Sequence, residues 1–231
     1  SIWIKKCKFM YNFFKRIADV LISFIAIVFL IPIFLIIVIA LRFTAEGEVF
    51  YTQERIGYLN SKFKIWKFAT MLKNSLNLGT GSITLNDDFR VTKIGKFLRK
   101  SKINELPQLF NILIGDISIV GPRPILESDW NLYSEEIKNM VYNVKPGLTG
   151  IGSIVFRDEE SIMSSVKNED LHLYYERVVA PYKGDLEKWY QLNRSFIVDA
   201  KLIILTALVI LYPSNNLHNK WFNGLPKKNN Q

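Results

Sequence analysis

VLISFIAIVFLIPIFLIIVIAL, residues 20–41, runs for 22 positions without a charge. At about 1.5 Å rise per residue, a helix of that length matches the hydrocarbon thickness of a bilayer. The run is too long for the apolar core of a cleavable signal, and no small-residue cleavage pattern follows it, so it reads as a retained membrane element. Pro32, in its middle, removes a backbone donor and crowds the carbonyl four residues earlier, which predicts a break in the helix. Lys5, Lys6, Lys8, Lys15 and Arg16 precede the run, and Arg42, Arg55, Lys62, Lys64 and Lys67 follow it. Basic flanks on both sides disagree over which end is cytoplasmic if the segment spans, and agree if it dips in and returns. The expectation is a re-entrant helix-break-helix within residues 1–45, with a straight transmembrane anchor as the alternative.

The 231 residues leave room for one ordinary domain, at 46–213, and a basic polar tail at 214–231. Thirty Lys and Arg against 21 Asp and Glu give a formal charge of +9, which favours anionic partners: phospholipid headgroups, nucleic acid or phosphorylated small molecules. A single Cys excludes an intrachain disulfide, and with two His it leaves no Cys/His zinc cluster. Neither a Walker nor a Rossmann glycine pattern is present, nor an internal repeat. The basic residues adjoin a membrane segment rather than a recognised nucleic-acid module, so nucleic acid is not an expected partner.

Downstream, residues 48–71 alternate apolar and polar positions around a turn at Leu59-Asn60-Ser61, the pattern of a β-hairpin. Residues 74–88, with Gly79 and Gly81, read as a loop. The basic helix GKFLRKSK at 95–102 suits an anionic lipid surface. ELPQLFNILIG, 105–115, reads as a helix with Pro107 in its first turn and a stop at Gly115. In Gly121-Pro122-Arg123-Pro124 the two prolines stiffen the backbone on both sides of one arginine, which preorganises a side chain able to grip phosphate. A second turn falls at Lys145 to Gly150, and a long helix over 170–193 is interrupted near Pro181. Leu202 to Tyr212 is too short to span and forms an interfacial or core-packed helix ended by Pro213. The fold class is α+β, mostly helical, with a small hairpin and surface amphipathic helices.

The order of these pieces resembles the small monotopic polyprenyl-phosphate phosphoglycosyl transferases, the bacterial sugar transferases. The matching residues are Lys15-Arg16 with Asp19 before the Pro-broken helix, Gln53 to Gly57, Trp66-Lys67-Phe68 with Met71, Asp88 with Arg90 and Thr92, and Gly95 to Arg99. They continue through Glu105 to Leu109 with Asn111, Gly115-Asp116, Val120 to Pro124, Lys145 to Gly150, and Trp189-Tyr190 with Ser195, Asp199 and Lys201. The resemblance implies transfer of a sugar-1-phosphate from a UDP-sugar to polyprenyl (undecaprenyl) phosphate, giving polyprenyl-diphosphate-sugar and UMP, as the first step of surface glycan synthesis. It implies Mg²⁺ as cofactor and an interfacial active site on the cytoplasmic face of the bacterial inner membrane. Anionic lipid, further copies of the chain and downstream glycosyl transferases are its implied partners. Carried onto this sequence, Arg55, Lys67, Arg90, Arg123 and Arg157 would bind phosphate or substrate, and Glu105 would be the metal ligand or base.

One departure bears on the chemistry. The family pattern places an Asp before that Glu, as the nucleophile of a phosphosugar-enzyme intermediate; here the position is Asn104. An amide is no comparable phosphoryl acceptor and a weaker metal ligand. Several readings stay open at this point. Glu105, Asp116 or Asp158 replaces the missing group, or the lipid phosphate attacks directly with Glu105 and Mg²⁺ assisting. Alternatively, the chain is an impaired membrane scaffold or lipid-phosphate-binding protein, or Asn104 is an engineered trap. The stretch IGSIVFRDEES after Gly150 also departs from the family's usual Trp-Ala-Gln-Val-Asn-Gly-Arg-Asn, which bears on acceptor contacts and sugar choice.

Overall fold

Helix α1, Ile2–Phe43, is the longest element of the computed structural model, which describes residues 2–44, 46–80, 83–167, 170–212 and 217–227. Gly81 of the expected loop, the stop expected at Pro213 and part of the 214–231 tail lie outside the described residues. The chain stays helical through Pro32, from Ile2 to Phe43, so no residue leaves the helix at the expected break. A proline deletes one amide donor and crowds one carbonyl, that of Val28, while the bonds on either side survive.

One stripe of α1 is covered. Asp19, Ser23, Ile37 and Leu41 are buried, and Ala26, Ile27, Leu30 and Phe34 pack between them. Steps of three and four residues keep this stripe on one face. The remaining faces are bare and apolar, with Leu21, Phe24, Ile25, Phe29, Ile33 and Ile36 all exposed. Only 11% of the most apolar window of this helix is buried, which distinguishes it from the core helix of a soluble protein.

The hairpin forms as expected, from β1 (Phe50–Ile56) and antiparallel β2 (Lys62–Phe68), with Leu59 and Asn60 at positive φ in the turn. The outer edge of β2 is satisfied by one side chain: Asn111 accepts from Trp66 N (3.0 Å) and donates to Lys64 O (2.8 Å). Asn111 sits on α3 (Gln108–Ile114), which follows α2 (Lys93–Lys100). Thr92 caps α2 by accepting from Gly95 N, and α3 stops at Gly115, whose φ of 97° is open to glycine.

A second, two-stranded parallel sheet joins β3 (Ser118–Val120) to β4 (Gly147–Thr149). Residues 145–150, read as a turn from sequence, thus contribute a strand. A Cβ on Gly121 or Gly147 would meet backbone of the other segment, so this pairing needs both glycines. Helices α4 (Glu127–Asn131) and α5 (Glu135–Val141) lie between these strands in sequence, and α6 (Ile151–Val155) and α7 (Glu159–Ser164) follow them. Helix α8 (Leu171–Tyr174) passes through a π-helical turn, Tyr175–Val179, into α9 (Ala180–Asn193). The expected interruption near Pro181 takes this form, because a proline there offers no donor to the preceding turn. Helix α10 (Phe196–Leu211) buries Leu202, Leu205 and Val209 while leaving Ile197, Ile204 and Leu211 exposed, so it is both core-packed and bare; α11 (Leu217–Trp221) closes the chain.

Asp199 ties three of these helices together. It accepts from Tyr11 (2.7 Å) and Tyr190 (2.8 Å) and pairs with Lys15, while Asp19 Oδ1 accepts from Ile119 N (3.0 Å). Arg16 donates to the last carbonyls of α3, Ile112 (2.6 Å) and Leu113 (2.8 Å).

Arg90 is not where the resemblance placed it. At 1% exposure it fills a cage made by the Asp88 carboxylate and the carbonyls of Ser75, Leu78 and Ile83, each within 2.7–2.8 Å. This guanidinium organises the loop over residues 75–90. Arg90→Met, which strands the buried Asp88, is expected to cost about 3–5 kcal/mol of stability. The check is the thermal unfolding midpoint in detergent micelles; an unchanged midpoint would refute the cage.

Candidate functional site

Lys102 takes a left-handed conformation (φ 59°) after α2 and turns the chain into a 3-10 turn, Ile103–Glu105. That turn delivers Asn104 and Glu105 to the floor of a cleft of about 210 Å³. The hairpin supplies one wall. Its register, Tyr51↔Lys67 and Arg55↔Phe63, puts Arg55 and Lys67 on the same face. The Gly121-Pro122-Arg123-Pro124 loop supplies the opposite wall, and the α6–α7 joint adds Arg157.

At the centre, Glu105 Oε1 accepts from Lys67 Nζ (3.4 Å) and Arg123 Nη2 (3.2 Å). Burial alone would raise the Glu105 carboxyl, but Arg123, Lys67 and Lys102 outweigh it and hold it far below the ordinary carboxylate range. Burial lowers the Lys67 ammonium to about 8, against the opposing pull of Glu105. Burial also lowers Arg55 and Lys102. The cleft holds seven Lys and Arg side chains against four carboxylates, an excess suited to a ligand carrying more than one phosphoryl group.

Arg123 is fixed from behind as well as by its prolines. Its N–H donates to Glu187 (3.1 Å), and its carbonyl accepts from the Tyr142 hydroxyl (2.6 Å). The buried Glu187 carboxyl is pushed up to about 7. Neither Glu187, on α9, nor Tyr142, just past the end of α5, was picked out from sequence, since each lies far along the chain with no local pattern to mark it.

Of the expected site residues, the structure brings together Arg55, Lys67, Asn104, Glu105, Arg123 and Arg157. Asn104 is 7% exposed, and its Oδ1 has no partner among the described residues; the same holds for Arg55 Nε and for Arg157 Nε and Nη1. Buried polar atoms left this way call for a partner from outside the chain: water, an ion or a ligand. Arg90 is absent from the cleft lining, as is Asp158, and Asp116 is spent behind it on Asn111 (2.9 Å). Glu159, one residue beyond Asp158, does line the cleft, paired with Lys183 (2.6 Å). Lys183 also donates to the Tyr175 hydroxyl (3.1 Å), and Tyr175 reaches Asp129 (3.3 Å). This carboxylate-and-phenol end was not read from sequence; the π-helical turn that places Tyr175 is a tertiary feature.

Lys67 grips an anion only as the ammonium, so affinity is present below about pH 8 and lost above it. A diphosphate diester, which keeps its charge over this range, is expected to bind about tenfold more weakly at pH 9 than at pH 7 by calorimetry. Lys67→Arg should remove most of that loss; a wild-type affinity flat across this range would exclude Lys67 from the contact.

Residues 10–213 match the family described as bacterial sugar transferase. The UDP-glucose:undecaprenyl-phosphate glucose-1-phosphate transferase of Klebsiella pneumoniae is 40% identical over 61% of this chain and 30% of its own length. The UDP-N-acetylgalactosamine-undecaprenyl-phosphate N-acetylgalactosaminephosphotransferase of Aeromonas hydrophila is 38% identical over 63% of this chain and 35% of its own. An uncharacterized sugar transferase of Bacillus subtilis, EpsL, is 34% identical over 85% of this chain and 87% of its own. The matches thus span about a third of the first two relatives and most of the third.

Proposed function

The chain belongs to the bacterial sugar transferase family, and from that premise we propose that it moves a sugar-1-phosphate from a UDP-sugar onto polyprenyl phosphate. The observation that carries this reading is Glu105 held between Lys67 and Arg123, at a point where three cavities meet and Arg123 lines all of them. Two phosphorylated substrates brought to one cationic centre need that arrangement.

With an amide at position 104, the proposed chemistry is direct displacement. An oxygen of the polyprenyl phosphate attacks the sugar-bearing phosphorus of the UDP-sugar. A new P–O bond forms as the bond from that phosphorus to the bridging oxygen breaks, and UMP leaves with the electron pair. Lys67, Arg123 and Arg55 offset the charge developing on the phosphoryl oxygens. Mg²⁺ is the proposed cofactor, held by the Glu105 carboxylate and the unpartnered Asn104 Oδ1. Two protein oxygens, with phosphate and water for the rest, suit this ion, and among the described residues no cluster of three or more acidic, His or Cys ligands offers a complete cage. When bound, the ion supplies further charge neutralisation at phosphate.

The setting proposed is the cytoplasmic face of the bacterial inner membrane, with α1 bending at Pro32 while staying helical, so that it dips into one leaflet and returns. Support comes from the covered stripe. Ala26 to Leu30, before Pro32, pack on Leu109 and Ile112, and Ile37 and Leu41, after it, pack on the same body around Phe68 and Leu98. A charged domain lying alongside both halves does not fit a helix standing across the bilayer.

In nanodiscs, UMP release is expected only with UDP-sugar, polyprenyl phosphate and Mg²⁺ together, and initial rates varied in both substrates should give intersecting lines. UMP formed without lipid would exclude direct displacement. No UMP across a panel of UDP-sugars, with turnover appearing in Asn104→Asp, would mark an impaired enzyme, and no activity in either form would favour the scaffold reading that the amide also allows. For topology, Cys7→Ser carrying Lys8→Cys or Lys62→Cys should label from the same side of sealed vesicles; labelling from opposite sides refutes the re-entrant path.

A further inference from the structure

The third cavity, about 290 Å³, lies between α10 and the parallel β3–β4 pair and differs in chemistry from the cleft it joins. Its apolar wall is Leu106, Ile119, Leu148, Ile154, Ile203 and Ile210. Hydroxyls on that wall are already engaged: Thr206 with Thr149 (2.6 Å) and the Leu202 carbonyl (2.7 Å), and Ser153 with Arg123 (3.3 Å). One end meets Lys102, Glu105, Arg123 and Arg157. Toward the surface, Ile203 and Ile210 on α10 are 40% and 39% exposed, next to Ile204 at 52% and Leu211 at 70%, so the groove runs out onto bare apolar helix.

Arg157 stands where groove and cleft join, lining both. Its Nε and Nη1 are buried without a partner among the described residues, and its carbonyl is pinned by Lys102 Nζ (3.2 Å). Arg55, with its own unpartnered Nε, lines the cleft and the cavity beneath the hairpin but not the groove. Two guanidiniums with unmet donors thus share the cleft that Glu105 lines, and each also lines a second cavity that the other does not.

We propose that the groove between α10 and the β3–β4 pair holds the first isoprenoid units of polyprenyl phosphate and that Arg157 binds its phosphate, leaving Arg55 to the UDP-sugar. This rests on the transferase reading and deepens it by assigning the acceptor a site. The occupant is chosen by complementarity: a single apolar chain ending in a phosphate monoester matches one apolar groove ending in excess cation. A phospholipid brings two chains and a diester of lower charge.

The test uses the full chain in nanodiscs with the Arg157→Ala, Ile203→Trp and Ile210→Trp variants. Arg157→Ala is expected to raise KM for polyprenyl phosphate about tenfold to hundredfold, the loss typical of a hydrogen bond to a charged group, with KM for the UDP-sugar changed less than about twofold. The tryptophans, placed at exposed positions, should raise the same KM when the acceptor is long and have little effect when it carries only one isoprene unit. Equal changes in both KM values, no change in either, or an effect of the tryptophans that ignores acceptor length would overturn the assignment. Photo-crosslinking of a benzophenone-bearing prenyl phosphate separates the two layers of inference. Label on residues 203–210, reduced in Arg157→Ala and not displaced by excess phosphatidylglycerol, supports the groove even if no sugar is transferred. Label elsewhere, or displacement by phosphatidylglycerol, refutes the groove while leaving the transferase reading to UMP release.

Discussion

Cations repel one another, and a cleft lined by Lys67, Arg55, Arg99, Lys102, Arg123 and Arg157 exists only because the fold prevents their dispersal. Glu105 is the central counter-charge, but the four carboxylates that line the cleft do not neutralise its seven cations. The rest is done by backbone. Arg123 is stiffened by two prolines and clamped at N–H and carbonyl by Glu187 and Tyr142; Lys102 is set by a left-handed turn; Arg55 and Lys67 are locked by strand register. Arg99 is answered by Glu160 at the rim. Each cation is thereby held where its own repulsion would not leave it, which is the preorganisation a phosphate site requires.

The same body is tied to the apolar helix by polar contacts that apolar packing alone would not register. Asp19 to Ile119 N, Arg16 to the end of α3, and Lys15 and Tyr11 to Asp199 lie within three turns of α1. They fix the sliding position of a helix whose apolar residues are otherwise interchangeable. Because α3 follows directly on the Glu105 turn, and Arg16 holds the far end of α3, the depth of the helix and the height of the cleft are mechanically one quantity. On the transferase reading, a lipid phosphate presented at the membrane surface would meet a site whose height is already set.

Local rules made much of this legible. Alternation gave the hairpin, a glycine the end of α3, and two prolines the presentation of Arg123. Six of the seven side chains expected to carry the chemistry line one cleft. What failed was non-local. The β3–β4 pair is three residues on each side and depends on Gly121 approaching Gly147 across the chain, so it has no period to detect. Arg90 looks like any basic residue in sequence, and only its four carbonyl and carboxylate partners reveal a structural role. Pro32 is the opposite case: a strong local breaker costs one bond but does not end a helix docked on both sides of the loss.

Asn104 also has an electrostatic consequence that a count of missing nucleophiles overlooks. A carboxylate there would sit next to Glu105 in a buried turn, and two adjacent anions facing two phosphorylated ligands would add like charge where charge is already concentrated. The amide removes that repulsion and leaves Oδ1, an uncharged acceptor, buried and without a partner among the described residues. On the direct-displacement reading this is a coherent exchange. A covalent acceptor must itself be an anion close to the electrophilic phosphorus, whereas a site that only brings two phosphates together is served by fewer anions and by cations divided between them. Arg55 and Arg157 meet in the cleft and reach from it into different adjoining cavities, each with an unmet donor, which is the arrangement such a site calls for.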